Sequence, residues 1–257
     1  MIPLLILALA ALVTSIISGI IGMGGGILLL ATMLSFLPHA EVIPAHGVVQ
    51  LVSNGTRLLV FLRHVRGWVV GRFALGALPG TVAGGLLLVW VRQGNIEATE
   101  PYFKIAIGLY VLLTTFRPVR RKATGDPTVS GAWIFTLFGF LAGLLGLTIG
   151  AVGPLIAPAF LHCGLVKERM IATKAVCQMM IHLLKVPIFI ASGLVDYASL
   201  GKLILVMSLM VIPGTLIGKK ILKRVDERTF VRLFKLALLL AGIKVLCYDG
   251  IYGLWGP

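Results

Sequence analysis

Apolar residues run almost unbroken along most of this chain, and its polar positions are of two kinds: short clusters between the runs and a spaced few inside them. The first run covers residues 2 to 37. It is interrupted within "GIIGMGGGILLL", residues 19 to 30, by Gly19, Gly22, Gly24, Gly25 and Gly26. Uninterrupted runs follow at about 45 to 63, 68 to 91 and 102 to 117. The pattern then restarts with a broken run over 131 to 162, carrying "GLLGLTIGAVGPLI" at 143 to 156, and unbroken runs at 170 to 193, 199 to 221 and 229 to 248. A helix needs about 20 apolar residues to cross a bilayer, so the pattern predicts an all-α, polytopic membrane protein.

The restart is also visible letter by letter. A shift of 124 residues lays Gly19-Ile-Ile-Gly22 on Gly143-Leu-Leu-Gly146 and Gly26 on Gly150. A shift of 128 lays "VVQLVSNGTRLLVF" from Val48 on "VCQMMIHLLKVPIF" from Val176, so that Gln50 meets Gln178, Asn54 meets His182 and Arg57 meets Lys185. Further on, "PGTVAG" from Pro79 matches "PGTLIG" from Pro213. Three matches in one order make the chain two copies of one unit, residues 1–118 and 131–257, joined by a basic linker at 119–130.

Loop charges then assign sides. Lys and Arg concentrate on the cytoplasmic side of membrane proteins, which puts Arg63 and Arg66, the linker, Lys167 and Arg169, and the cluster from Lys219 to Arg228 inside. Both flanks of the second broken run therefore claim the cytoplasm. That run is expected to be a re-entrant hairpin of two half-helices turning at "GLTIGAVGP", and residues 2 to 37 the same hairpin turning at "GMGGG" from the other side. Three spans per copy is odd, so the second copy is expected to be inverted, with both termini non-cytoplasmic. Non-helical backbone at membrane depth is tolerated where it lines a cavity, and inverted-repeat transporters place their binding sites there. Glycine allows the tight turn and the close approach of a ligand, and the helix N-terminus beyond the turn favours anions.

Polar residues inside the runs sharpen this picture. His46, Gln50, Asn54 and Arg57 share one helical face, and Lys174, Gln178, His182 and Lys185 repeat their spacing. Ionisable groups at membrane depth are functional candidates by default, which selects Arg57 and Lys185, with Gln50, Asn54, Gln178 and His182 beside them. All nine carboxylates fall in loops or near helix ends. A membrane interior with fixed positive charge and no carboxylate suits an anion. Proton and sodium sites commonly use carboxylates, so His46 and His182 are the candidates for proton coupling; export of an anion down an inside-negative potential needs no coupling ion.

Composition agrees and excludes alternatives. The 257 residues are 58% hydrophobic and 12% charged. The net charge of +14 reflects cytoplasmic loops rather than nucleic-acid binding. Cys163, Cys177 and Cys247 have no paired spacing, and neither a metal nor another cofactor is expected. The first run lacks a basic n-region and a cleavage site, so it is expected to belong to the mature fold. No Walker motif is present. A haem-binding or redox subunit using His46 and His182 is the alternative from another class.

The "GxxGxGGG" turn, its "GLLGLTIG" echo, the "QLxSN" stretch with Arg57 and the two "PGTxxG" segments together resemble the sulfite exporter TauE/SafE family over the whole chain. The resemblance implies a secondary transporter, not an enzyme, moving sulfite, organosulfonates or another small anion across the bacterial inner membrane, commonly as export. It further implies that the glycine turns (Gly24, Gly25, Gly26, Gly150) and the Gln50, Asn54 and Arg57 stripe form the pathway. Arg57 and Lys185 would then supply charge, Thr148 and the turn N–H groups directional donors, and Gln50, Asn54, Gln178 and His182 selectivity. The bilayer and a small anion are the expected partners, with a homo-oligomer left open.

Overall fold

The computed structural model describes residues 2–90, 100–116, 132–147, 152–191 and 196–252. Among the described residues there are helices and no strands. They are α1 (Ile2–Ile21), α2 (Gly25–Leu34), α3 (His39–Phe61), α4 (Gly67–Trp90), α5 (Glu100–Thr115), α6 (Trp133–Gly146), α7 (Gly153–His162), α8 (Lys167–Ala191), α9 (Tyr197–Leu222) and α10 (Glu227–Ile243), the last continuing as a π-helix, Lys244–Tyr252. The order is a broken helix and three further helices, twice. Four of them, α1, α4, α8 and α9, are long and apolar enough to span a membrane. With 23 residues α3 is also long enough, but it carries a polar stripe. This is a multi-pass membrane protein, and its outer surface fits: Leu5, Leu9 and Val13 on α1, and Leu75, Leu78, Val82 and Leu86 on α4, are exposed at helical spacing.

The first break falls where glycine is required. Gly22 and Gly24 have φ of 80° and 88°, a left-handed backbone that side chains disfavour. Beyond them α2 turns back along α1. Gly25 lies against the Thr14 carbonyl and the Ser18 hydroxyl, and Leu29 and Met33 share a buried cluster with Leu7 and Ala11. A helix continuing forward would carry these residues away from α1. The 20 residues of α1 span about 30 Å, so the first broken segment is a long helix with a short return rather than two equal half-helices; nothing between Leu4 and Ile21 obliges the helix to stop earlier. The second, with α6 of 14 residues and α7 of 10, is closer to the expected lengths. α3 starts six residues before its apolar run because Pro38 sets an extended entry and Glu41 fits the first turn, where the helix dipole favours an acid. α9 and α10 start at Asp196 and Asp226, whose carboxylates accept from Ala198 N (2.9 Å) and Thr229 N (3.3 Å).

The two halves interlock through the repeated glycines. α9 lies parallel to α1, with Gly214 against Leu12 and Ser15 and Gly218 against Ile16 and Gly19. In the same manner α4 lies parallel to α6, with Gly76 against Thr136, Gly80 against Phe140 and Gly84 against Leu144. Each "PGTxxG" segment thus packs on the glycine-bearing helix of the other half, as close backbone packing in membranes requires. Two further pairings join equivalent helices running antiparallel: Gly47 meets Lys185 and Gly55 meets Met179 between α3 and α8, while Gly108 meets Leu246 and Gly242 meets Leu112 between α5 and the α10 segment. Exchanging the halves maps the α1 and α9 pairing onto that of α6 and α4, and each of the two antiparallel pairings onto itself.

These contacts set a measurable contrast. A Cβ on Gly76 would strike the Thr136 carbonyl, whereas one on Gly71 would meet nothing within 4 Å. Gly76→Ala is expected to destabilise by about 3 kcal/mol, the upper end for overpacking, because only backbone movement relieves it. Gly71→Ala should be neutral or stabilise by up to about 1 kcal/mol. Thermal unfolding of the detergent-purified variants checks both.

Candidate functional site

The antiparallel crossing of α3 and α8 brings the two polar stripes together, and both helix breaks arrive at that crossing. From the first break, the Gly26 carbonyl accepts a hydrogen bond from His46 Nε2 (2.9 Å) and the Gly22 carbonyl accepts one from Lys174 Nζ (2.9 Å). A Cβ at Gly26 would sit 3.4 Å from Gln50 Nε2. From the second break, a Cβ at Gly153 would sit 3.3 Å from Gln178 Nε2 and 3.9 Å from Lys174 Nζ. One small cavity of about 30 Å³ lies between them, walled by Ser18, Gly24 and Gly26, by Val152, Gly153 and Pro154, and by His46, Gln50, Arg57, Lys174, Gln178 and His182. That is room for one or two water molecules.

Helix logic makes this cavity electropositive. Leu28 N donates to the Gly24 carbonyl, so the N–H groups of Gly25, Gly26 and Ile27 precede the first intrahelical bond of α2 and have no partner within the helix. Ile156 N donates to the Val152 carbonyl, which leaves Gly153 and Leu155 in the same position on α7; Pro154 has no N–H. Two positive dipole ends therefore face one space. Arg57, 3% exposed, is held there by its own helix: Nε donates to the Ser53 carbonyl (3.2 Å) and a terminal nitrogen to Ser53 Oγ (3.1 Å) and weakly to Gln50 Oε1 (3.5 Å). Lys174, 1% exposed, adds a second cation. Every carboxylate-bearing residue among the described ones lies at a helix end or in the terminal π-helix, where Asp249 pairs with Lys244 at 2.7 Å. No group of three metal-ligating side chains occurs among them either.

The histidines stand in the same wall, their ring centroids 6.3 Å apart and edge to face. A carbonyl can only accept, so the bond to Gly26 fixes the proton of neutral His46 on Nε2 and leaves Nδ1 as an acceptor. Neither His46 Nδ1 nor His182 Nδ1 has a hydrogen-bond partner.

The structure brings together Gly24, Gly26, Gln50, Arg57, Gln178, His182 and His46 of the residues expected from sequence. It places three others beside the cavity rather than on it. Gly25 faces Thr14; Asn54 donates from Nδ2 to the Gln50 carbonyl (2.8 Å); Lys185 is buried under Gly47. Thr148 and Gly150 lie outside the described residues. Lys174 is the main addition. Its signal was its place on the α8 stripe, opposite His46 in the repeat. Ser18 carried no polar-stripe signal, and Gly153 and Pro154 close the expected turn "GLTIGAVGP" without having been counted among the binding residues.

The family model described as sulfite exporter TauE/SafE matches residues 7–245. The chain is 25% identical to the probable membrane transporter protein YunE of Bacillus subtilis (strain 168), covering 96% of this chain and 98% of that protein. It is 29% identical to the probable membrane transporter protein ORF9 of a Sinorhizobium species, over 54% of this chain and 55% of that one. No solved structure matches. With a family match over nearly its whole length on a bundle of broken and spanning helices, the chain belongs to the sulfite exporter TauE/SafE family of membrane transporters.

Proposed function

We propose that the protein is a secondary transporter that exports a small sulfur oxyanion, sulfite or a compact sulfonate, across the bacterial inner membrane by alternating access. The observation that carries this reading is the meeting of two helix N-termini, Arg57 and Lys174 around a cavity lined by no carboxylate. Such a site stabilises negative charge and offers N–H donors in several directions, which a tetrahedral or pyramidal oxyanion can accept. Its closed size implies that the anion replaces water and that side chains give way on loading.

The antiparallel runs of α3 against α8 and α5 against α10 support reading the halves as inverted repeats, with both termini non-cytoplasmic. Rocking one half against the other about the α3 and α8 crossing would then expose the cavity to each side in turn. An anion leaving an inside-negative cell gains about 2.3 kcal/mol per charge per 100 mV, so the potential alone suffices. The haem-carrying alternative is disfavoured by space, since a cavity of about 30 Å³ holds no macrocycle.

Proteoliposomes with potential and pH gradient set independently test the proposal. Sulfite flux should follow the potential at zero pH gradient and be competed by small sulfonates, with chloride a weak competitor. Absence of flux for every sulfur oxyanion would overturn it.

A further inference from the structure

A second and larger cavity, about 460 Å³, opens at one end of the bundle between the C-terminal ends of α3 and α9 and the start of α8. We propose that it binds the phosphodiester headgroup of an anionic glycerophospholipid of the cytoplasmic leaflet. Its wall joins two chemistries. Arg63, His64, Lys219 and Lys223 line it against the lone acid Glu168, and Glu168 is itself 3.9 Å from Lys167. Leu59 near the end of α3 and Leu62 just beyond it, 75% and 57% exposed, supply an apolar side. A soluble phosphate would have no use for that side; a headgroup with its first acyl methylenes would.

Lys219 is held in position. It donates from Nζ to the Val60 carbonyl at 3.0 Å and lies 5.7 Å from the Phe61 ring centroid, which leaves two of its three N–H donors for a ligand. Basic residues after α3 and at the end of α9 gather here, and their shared sign is that of a cytoplasmic end under the positive-inside rule. There the negatively charged leaflet and basic pockets between helices attract each other. A lipid seated here would bridge α3 of the first half and α9 of the second. This binding is separate from the central cavity and does not depend on which anion is carried.

Native mass spectrometry of the full-length detergent-purified protein, titrated with phosphatidylglycerol or phosphatidylcholine, tests it. Phosphatidylglycerol should be retained and phosphatidylcholine lost. Each cation removed should weaken phosphatidylglycerol binding about fivefold, so the pair Arg63→Gln and Lys223→Gln should weaken it about 25-fold. Should the double variant fail to fold, Lys223→Gln alone should show the fivefold loss. Equal retention of the two lipids, or unchanged affinity in the variants, would overturn the proposal. Displacement of phosphatidylglycerol by equimolar inorganic phosphate or glycerol 3-phosphate would also overturn it, reassigning the cavity to soluble anions.

Discussion

Replacing Arg57 by glutamine is expected to cut sulfite flux by about 100-fold or more while leaving the protein at least as stable. The two effects have opposite signs for one reason. A cation buried away from carboxylates costs stability at membrane depth, so removing the charge relieves the fold even as the bonds to Ser53 are lost. The same charge contributes about 1.5–3 kcal/mol per charge-assisted hydrogen bond to a bound anion, and two such bonds account for the flux. Arg57→Lys keeps the charge but not the two-pronged geometry, and should fall between, near tenfold. Proteoliposome flux and thermal unfolding, measured on the same preparations, separate this from a structural role, for which stability and flux would fall together.

The second large effect distinguishes adjacent glycines. Gly25→Ala should prevent the first hairpin from closing, because the new Cβ would strike the Thr14 carbonyl and the Ser18 hydroxyl. The carbonyl is backbone and cannot swing aside, so a cost at the upper end of the overpacking range, about 3 kcal/mol or more, is expected. Yield of monodisperse protein and its unfolding temperature report this directly. Gly26→Ala should fold, since its Cβ would meet the Gln50 amide at an ordinary 3.4 Å. It would nevertheless narrow a cavity of about 30 Å³, with flux reduced about tenfold, as for a lost contact worth about 1.4 kcal/mol.

Much of this was legible in the sequence. The glycine run located the first break to within a residue or two, because positive φ is a local demand that only glycine meets cheaply. The repeat named the helices that would cross, and the helical period named the faces they would present. Periodicity does not give the point of crossing. Residues 46 to 57 extend over about 16 Å, and both ends of that stretch reach the cavity while Asn54 between them does not. On α3 the wall includes His46, Gln50 and Arg57; on α8 it includes Lys174, Gln178 and His182. Lys185 falls beyond it under Gly47, although its repeat mate Arg57 is in the wall, because the two halves are not strict copies. Long side chains amplify that asymmetry. The length of α1 was not legible either, since nothing in a uniformly apolar stretch marks where a helix should stop before its first breaker. Gly25 belongs to the turn and is also a packing position, its Cα set against Thr14 and Ser18 of α1.

A map of the purified transporter soaked with selenite, a sulfite analogue whose selenium scatters anomalously, bears most directly on an anion held between the two breaks. One selenium peak is expected between the N-termini of α2 and α7, within hydrogen-bonding reach of Arg57, and it should vanish in Arg57→Gln. Transport-competent protein showing its selenium elsewhere, with the space between Gly26 and Gly153 empty, would contradict it.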